Sequence, residues 1–213
     1  MKRGKFIVLE GIDGSGKTSQ MKLLVGRLKA TGRQVVSTAE PSTGPIGALL
    51  RLALSKRIVR PNKVSGSVPL TSDTLALLFT ADRMDHLASF IDPALAEGKD
   101  VVCDRYALGT LAYQSWSDED QGWIKGLNLR AQHPDMTIFL SLPVEMALKR
   151  ISGRGNLDIF ENQEVLERVV LNFRTALSDA MADGQEIAVV NGTDPVETVA
   201  DNVWWNVERI LQP

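Results

Sequence analysis

The stretch FIVLEGIDGSGKTSQ, residues 6–20, constrains the fold more than any other part of the chain. Four apolar residues, Phe6 to Leu9, read as a buried strand and run into a glycine-rich turn; the residues after Lys17 and Thr18 have helical character. Gly11-Ile12-Asp13-Gly14-Ser15-Gly16-Lys17-Thr18 matches the pattern G-x-x-x-x-G-K-[ST]. Its glycines let successive backbone N–H groups face one concavity, and the adjoining helix presents its positive end there. Lys17 adds a point charge suited to β and γ phosphates, and the Thr18 hydroxyl is a ligand for Mg²⁺. A strand before the pattern and a helix after it are the context the motif requires. Residues Gly11 through Ser19 are therefore expected to form a nucleoside triphosphate site.

The rest of the chain repeats the same alternation. QVVS (34–37), DVVC (100–103), MTIFLSL (136–142) and EIAVV (186–190) are short, apolar and without strict alternation, as parallel strands covered on both faces should be. Helical patterns lie between them, at 16–31, 45–56, 72–97, 119–131, 143–152, 162–182 and 195–211. Gly32, Gly98 and Gly184 fall at helix ends, and Asp194-Pro195 reads as an N-cap followed by proline at the first helical position. Residues 57–71 have no clear period and read as an irregular surface loop; SGRGNLD (152–158) reads as a flap between two helices. The expectation is an α/β P-loop fold, a three-layer sandwich with a five-stranded parallel sheet, in one domain spanning 1–213.

Composition narrows the function classes. With 44% hydrophobic and 23% charged residues and a formal net charge of −2, the chain lacks the basic excess of a nucleic-acid or membrane-surface binder. Its one cysteine, Cys103, excludes an internal disulfide and a thiol metal cluster, and fits a reducing compartment. Lys2 and Arg3 precede too short an apolar run for a signal peptide, and no segment approaches the roughly 20 apolar residues of a membrane span. A cytoplasmic protein is expected.

Two further groups of residues carry chemistry. Asp104 ends the third strand of the pattern, where its carboxylate could orient hydrated Mg²⁺, and Arg105 beside it suits a phosphate in bidentate fashion; a purely structural Asp–Arg pair is the alternative. In the long helix, Leu77, Ala81, Met84, Ala88 and Ile91 recur at helical spacing as one apolar stripe. Phe79, Arg83 and His86 fall on another face. Residues alone favour a core Phe79 with an exposed Arg83, and His86 and His133 as structural residues.

These pieces resemble the thymidylate kinase family in order and over most of the chain. The resemblance rests on LEGIDGSGKT, Glu40-Pro41, FTADRMDH (79–86), DRYALGTLAYQ (104–114), HPDMTIFLSLP (133–143) and the flap near Arg154. It implies a nucleoside monophosphate kinase that moves the γ-phosphoryl of Mg-ATP to dTMP, and commonly a homodimer. By resemblance, Phe79 stacks the thymine and Arg83 contacts its edge. Arg51 and Arg105 hold the acceptor phosphate, and Asp13 orients the acceptor sugar. Thr110 and Gln114 match acceptor-contacting positions; Tyr106 and Tyr113 either wall the sugar pocket or simply pack. The acceptor region is about 40–90 and the LID about 150–162. Because Gly14 stands where some members carry a basic residue in the loop, the LID is expected to supply the extra catalytic arginine: Arg154, or failing that Arg150.

The chain departs from the family pattern at several points. Ala39 precedes Glu40-Pro41 in place of arginine, Ser42-Thr43 replace two glycines, Gly109 replaces a serine, Ser141 replaces an aspartate, and Ile159 replaces a flap arginine. These changes touch the acceptor pocket and flap but not the phosphate loop. Three alternatives therefore stand: a kinase for another pyrimidine monophosphate, a deoxynucleoside kinase, and a non-catalytic nucleotide-binding module. The second needs a carboxylate base just after the first strand, whereas Asp13 lies inside the loop. A GTPase would show N-K-x-D, which is absent from the sequence.

Overall fold

The computed structural model describes residues 2–152 and 163–212. In chain order its strands are β1 (Phe6–Glu10), β2 (Val35–Ala39), β3 (Arg60–Asn62), β4 (Gly66–Val68), β5 (Asp100–Asp104), β6 (Met136–Ser141) and β7 (Ile187–Asn191). Its helices are α1 (Lys17–Ala30), α2 (Pro45–Leu54), α3 (Ser72–His86), α4 (Asp92–Ala96), α5 (Ala107–Gln114), α6 (Asp118–Leu127), α7 (Val144–Ile151), α8 (Gln163–Ala182) and α9 (Val196–Leu211).

Five strands form one sheet in the order β2-β5-β1-β6-β7, with every neighbouring pair parallel. Alternate residues of the central strand explain the layering. Ile7 and Leu9 face Leu24 and Leu28 of α1 and Val199, Val203 and Val207 of α9. Phe6 and Val8 face the other way, onto Leu87, Ile91 and Leu95. Both faces of β1 are dry, so it reads as a continuous apolar run rather than an alternation. The same period places Glu10 on the Phe6–Val8 face, where it is fully buried. In a parallel sheet all strands end on one side. The glycine loop after β1 and Asp104 at the end of β5 thus meet there, with Leu9 paired to Asp104.

The expected α/β sandwich is present, with four local corrections. Residues 57–71 are not wholly irregular: β3 and β4 pair antiparallel as a small hairpin, its turn closed by Val64 and Ser65 N–H groups donating to Asn62 Oδ1. The single helix expected over 72–97 is interrupted by a wide π turn at Leu87–Ile91. Pro93 comes next; it has no N–H to donate and crowds the carbonyl one turn back, so the helix must widen or break there. Helix α5 was hidden within a motif. Leu108, Gly109, Thr110, Ala112, Tyr113 and Gln114 are all buried, so it shows no polar-to-apolar period. Finally, α9 starts after Pro195, whose carbonyl accepts from Val199, while Asp194 accepts from Asn191 Nδ2 at 3.1 Å instead of capping the helix.

Helix α3 and the turn after it also correct the expected apolar stripe. Leu77, Ala81 and Ala88 are exposed and Met84 only half-buried, whereas Leu75, Ala76, Asp82, Arg83 and His86 are buried. The inward face is polar because β2 and the segment after it present partners. Asp82 accepts from the Ser42 N–H at 2.7 Å and the Ser42 hydroxyl at 2.6 Å. His86 Nε2 shares a hydrogen bond with Thr38 Oγ1 at 2.7 Å. A buried polar face is tolerated where partners meet most of its groups; on this one, among the described residues, only Arg83 Nε and His86 Nδ1 lack a hydrogen-bond partner.

Candidate active site

Backbone geometry builds the phosphate end. Gly11, Gly14 and Gly16 have φ of 142°, 78° and 101°, and a Cβ at Gly14 would lie 2.7 Å from the carbonyl of Ala147. No other residue type fits that turn without strain. Helix α1 opens at Lys17 with no acidic residue in its first turn and no side-chain cap, so its N–H groups remain available to an anion. Lys17 is buried, its ammonium donating to the carbonyls of Gly11 at 2.8 Å and Ile12 at 2.9 Å. Burial, and then the nearby Arg105, push it down to about 8. A polar cavity of about 140 Å³ opens here, bounded by Gly14, Gly16, Lys17, Thr18, Ser19 and Asp104.

The donor set for a divalent cation sits at the edge of that cavity. Thr18 Oγ1 donates to Asp104 Oδ2 at 2.9 Å. Asp104 Oδ1 is buried and has no hydrogen-bond partner among the described residues. A hydroxyl and a carboxylate with a spare oxygen are hard ligands of the kind Mg²⁺ takes alongside water and phosphate. The two residues singled out from sequence thus fit the ion.

A second cavity, also about 140 Å³, adjoins the first. Its walls include Glu40, Pro41, Leu54, Phe79 and Tyr106. Gly109, Thr110, Tyr113 and Gln114 from α5 complete it. Asp13 and Arg105 line both cavities. Arg105 has an unusual φ of 74°, its N–H is tied to Leu9 O at 2.9 Å, and its guanidinium is ion-paired with Asp13. That guanidinium also lies 5.4 Å from the centre of the Tyr113 ring. Burial alone would raise the Asp13 carboxyl, but Arg105 and Lys17 outweigh it and hold it below its ordinary value.

Arg83 is not the exposed cation that residue type alone suggested; it is fully buried beneath the second cavity. Its Nη2 donates to Glu40 Oε2 at 2.6 Å and to Thr110 Oγ1 at 3.0 Å, and its Nη1 to Asn128 Oδ1 at 2.5 Å. The peptide bond that follows Glu40, to Pro41, is cis. Arg51 lines neither cavity; its guanidinium donates to the carbonyls of Pro41, at 3.0 Å, and Ser42. Arg150 donates to Gly14 O at 3.2 Å and Gly192 O at 3.1 Å, which puts it against the phosphate loop. Arg154 and most of the expected LID lie outside the described residues.

Glu10 and Asn128 were missed. Glu10 Oε1 accepts from the N–H groups of Tyr106 at 2.8 Å and Gly109 at 3.0 Å, and so clamps the turn that carries Arg105. Burial pushes its carboxyl up to about 7 against those donors and Arg105. An acid ending a wholly apolar strand was the available signal, because such a group needs dedicated partners. Asn128 carried no signal, since only the fold brings it to Arg83.

A triphosphate loop, a hard-cation corner and an adjoining pocket that shares an Asp–Arg pair with it define a P-loop phosphotransferase site. The comparisons with known proteins agree. The family model for thymidylate kinase matches residues 9–203. The chain is 40% identical over 201 residues to a probable thymidylate kinase of Pyrococcus horikoshii, covering 94% of each protein. It is 37% identical to a thymidylate kinase of Thermomicrobium roseum, covering 97% of this chain and 96% of that one. A probable thymidylate kinase of Methanococcus aeolicus is 37% identical over 190 residues, or 89% of this chain and 88% of the relative. The chain belongs to the thymidylate kinase family.

Proposed function

We propose that the protein transfers the γ-phosphoryl group of Mg-ATP to dTMP, giving ADP and dTDP. The observation that carries this reading is the shared wall: Asp13 and Arg105 border both the phosphate cavity and the pocket of Phe79, Tyr106 and Gln114. A donor phosphate on the loop and an acceptor phosphate in the second pocket would meet at Arg105. The acceptor phosphate is already an anion near pH 7, so positioning and neutralisation of charge do the catalysis. Lys17 exchanges its loop carbonyls for β/γ oxygens. Arg105, preset by Asp13, bridges acceptor and γ-phosphoryl. Thr18 and Asp104 would hold Mg²⁺, which when bound supplies positive charge at the donor oxygens. Phe79 supports the base from one side, with Thr110 and Gln114 at its polar edge; Arg83, which lines neither cavity, holds Glu40 and Thr110 in place from beneath. Asp13 orients the sugar. Arg51, which anchors the 41–42 segment, turns its guanidinium to the acceptor phosphate. Arg154 supplies the extra cation, with Arg150 already at the loop as the second choice.

The exposed apolar residues Leu49 and Leu52 on α2, Leu77 on α3 and Phe90 support a homodimer through this side; a mass of one chain by sedimentation would refute it. Among the described residues no helix is long and apolar enough to cross a membrane.

The test monitors ADP release with Mg-ATP against dTMP, dUMP, UMP, dCMP, CMP, dGMP and AMP, with thymidine as a hydroxyl acceptor. The expected result is the highest kcat/KM for dTMP, and a loss of at least about 100-fold in Lys17→Ala. A different preferred monophosphate would refute the acceptor; turnover of none would refute the kinase.

A further inference from the structure

A larger cavity, about 430 Å³, lies apart from the phosphate loop, between α5, α6 and α8 and over β1 and β6. This is the size of a small-molecule site. Leu108, Leu111, Leu129, Ala176 and Ala180 give it apolar walls. Its charged lining is mostly acidic: Glu10, with Asp179 and Asp183, against Lys125, which is ion-paired to Asp183 at 2.7 Å.

Glu10 sets the ligand chemistry. The residue is 0% exposed, and while its Oε1 takes two backbone donors, its Oε2 is buried with no hydrogen-bond partner among the described residues. A buried acceptor without a donor is costly, and a charged donor is the strongest remedy. We propose that this cavity binds a small organic amine, its apolar body against the Leu and Ala walls and its ammonium group at Glu10 Oε2. The carboxylates Asp179 and Asp183 favour the approach of a cation over an anion.

Occupancy bears on the acceptor pocket through two shared residues. Tyr106 lines both cavities, and Asn128 lines the larger one while accepting from Arg83 beneath the other. A ligand that draws on Glu10 also acts on the clamp over Tyr106 and Gly109. Amine and acceptor should therefore alter each other's affinity by one common factor.

The experiment titrates 2-phenylethylamine, and separately its neutral counterpart 2-phenylethanol, into the full chain by calorimetry at pH 8, where the Glu10 carboxyl, raised to about 7, is mostly ionised. The expected result is about tenfold tighter binding of the amine, from the charge-assisted contact. In Glu10→Gln that preference should fall to about twofold or less. Ala180→Trp, which fills the cavity, should abolish amine binding while circular dichroism and turnover persist. Leu129→Trp, at a position 77% exposed, gives a second block that does not burden the core. Equal affinity for amine and alcohol, no binding of either, or amine binding that survives a folded blocking variant would each overturn the proposal. A final arm measures dTMP affinity with the amine saturating. It alone rests on the acceptor reading, and a change below about twofold would overturn the coupling but not the site.

Discussion

Arg83 is the position where one substitution should separate architecture from chemistry. The guanidinium is fully buried and makes three hydrogen bonds, one of them to the Glu40 carboxylate at 2.6 Å. Arg83→Ala would leave that carboxylate buried, with His86 Nδ1, 3.5 Å from its other oxygen, as the nearby base. Breaking a buried pair in this way costs about 3–5 kcal/mol, because the remaining charge has lost both its solvent and its partner. For a chain of this length each kcal/mol lowers Tm by about 2–4 °C, so a fall of about 6–20 °C is expected. Glu40→Leu should cost a similar amount by stranding Arg83. The double variant Glu40→Leu/Arg83→Met should be less destabilised than the sum of the single variants by at least about 1.5 kcal/mol, since apolar residues of like volume often replace a buried pair at little cost. Urea and thermal unfolding of the four proteins, without nucleotide, measure the cycle. Additive losses, or a loss below about 1 kcal/mol in Arg83→Ala, would refute the account of Arg83 as a buried strut.

Two other expectations come from Glu10. Its folded-state carboxyl, raised from 4.5 to about 7, holds its proton more tightly than in the unfolded chain. The resulting stability is complete below pH 4.5 and is lost as pH rises through about 7, to a total of about 3 kcal/mol. Glu10→Gln does not titrate and should gain on the parent protein by up to that amount between pH 5 and pH 8 in urea melts; parallel curves would contradict the assignment. At Gly109 an added Cβ would sit 3.2 Å from Glu10 Oε2. Serine brings a hydroxyl donor to that oxygen and alanine does not, so Gly109→Ser should be more stable than Gly109→Ala by about 1 kcal/mol, and the reverse order would show that Oε2 needs no donor.

Much of this protein was legible without coordinates, for a physical reason. The phosphate loop is local: its glycines, Lys17 and Thr18 need only their own backbone and the strand and helix on either side, so eight consecutive residues specify it. The parallel sheet was legible too, because strands dry on both faces have to be short, continuous apolar runs. Asp104 and Thr18 could be paired in advance only because β5 ends beside β1. What sequence could not decide is which face of a helix turns inward. Periodicity assigned Leu77, Ala81 and Ala88 to the core, yet the structure exposes them and buries Asp82, Arg83 and His86. A charged face is buried only where partners await it. Those partners, Ser42, Glu40, Thr110, Asn128 and Thr38, come from separate segments of the chain. The same holds for Glu10, whose partners at Tyr106 and Gly109 lie 96 and 99 residues away. Tertiary structure alone determines such groups, because their stability belongs to a set of distant atoms rather than to any local pattern.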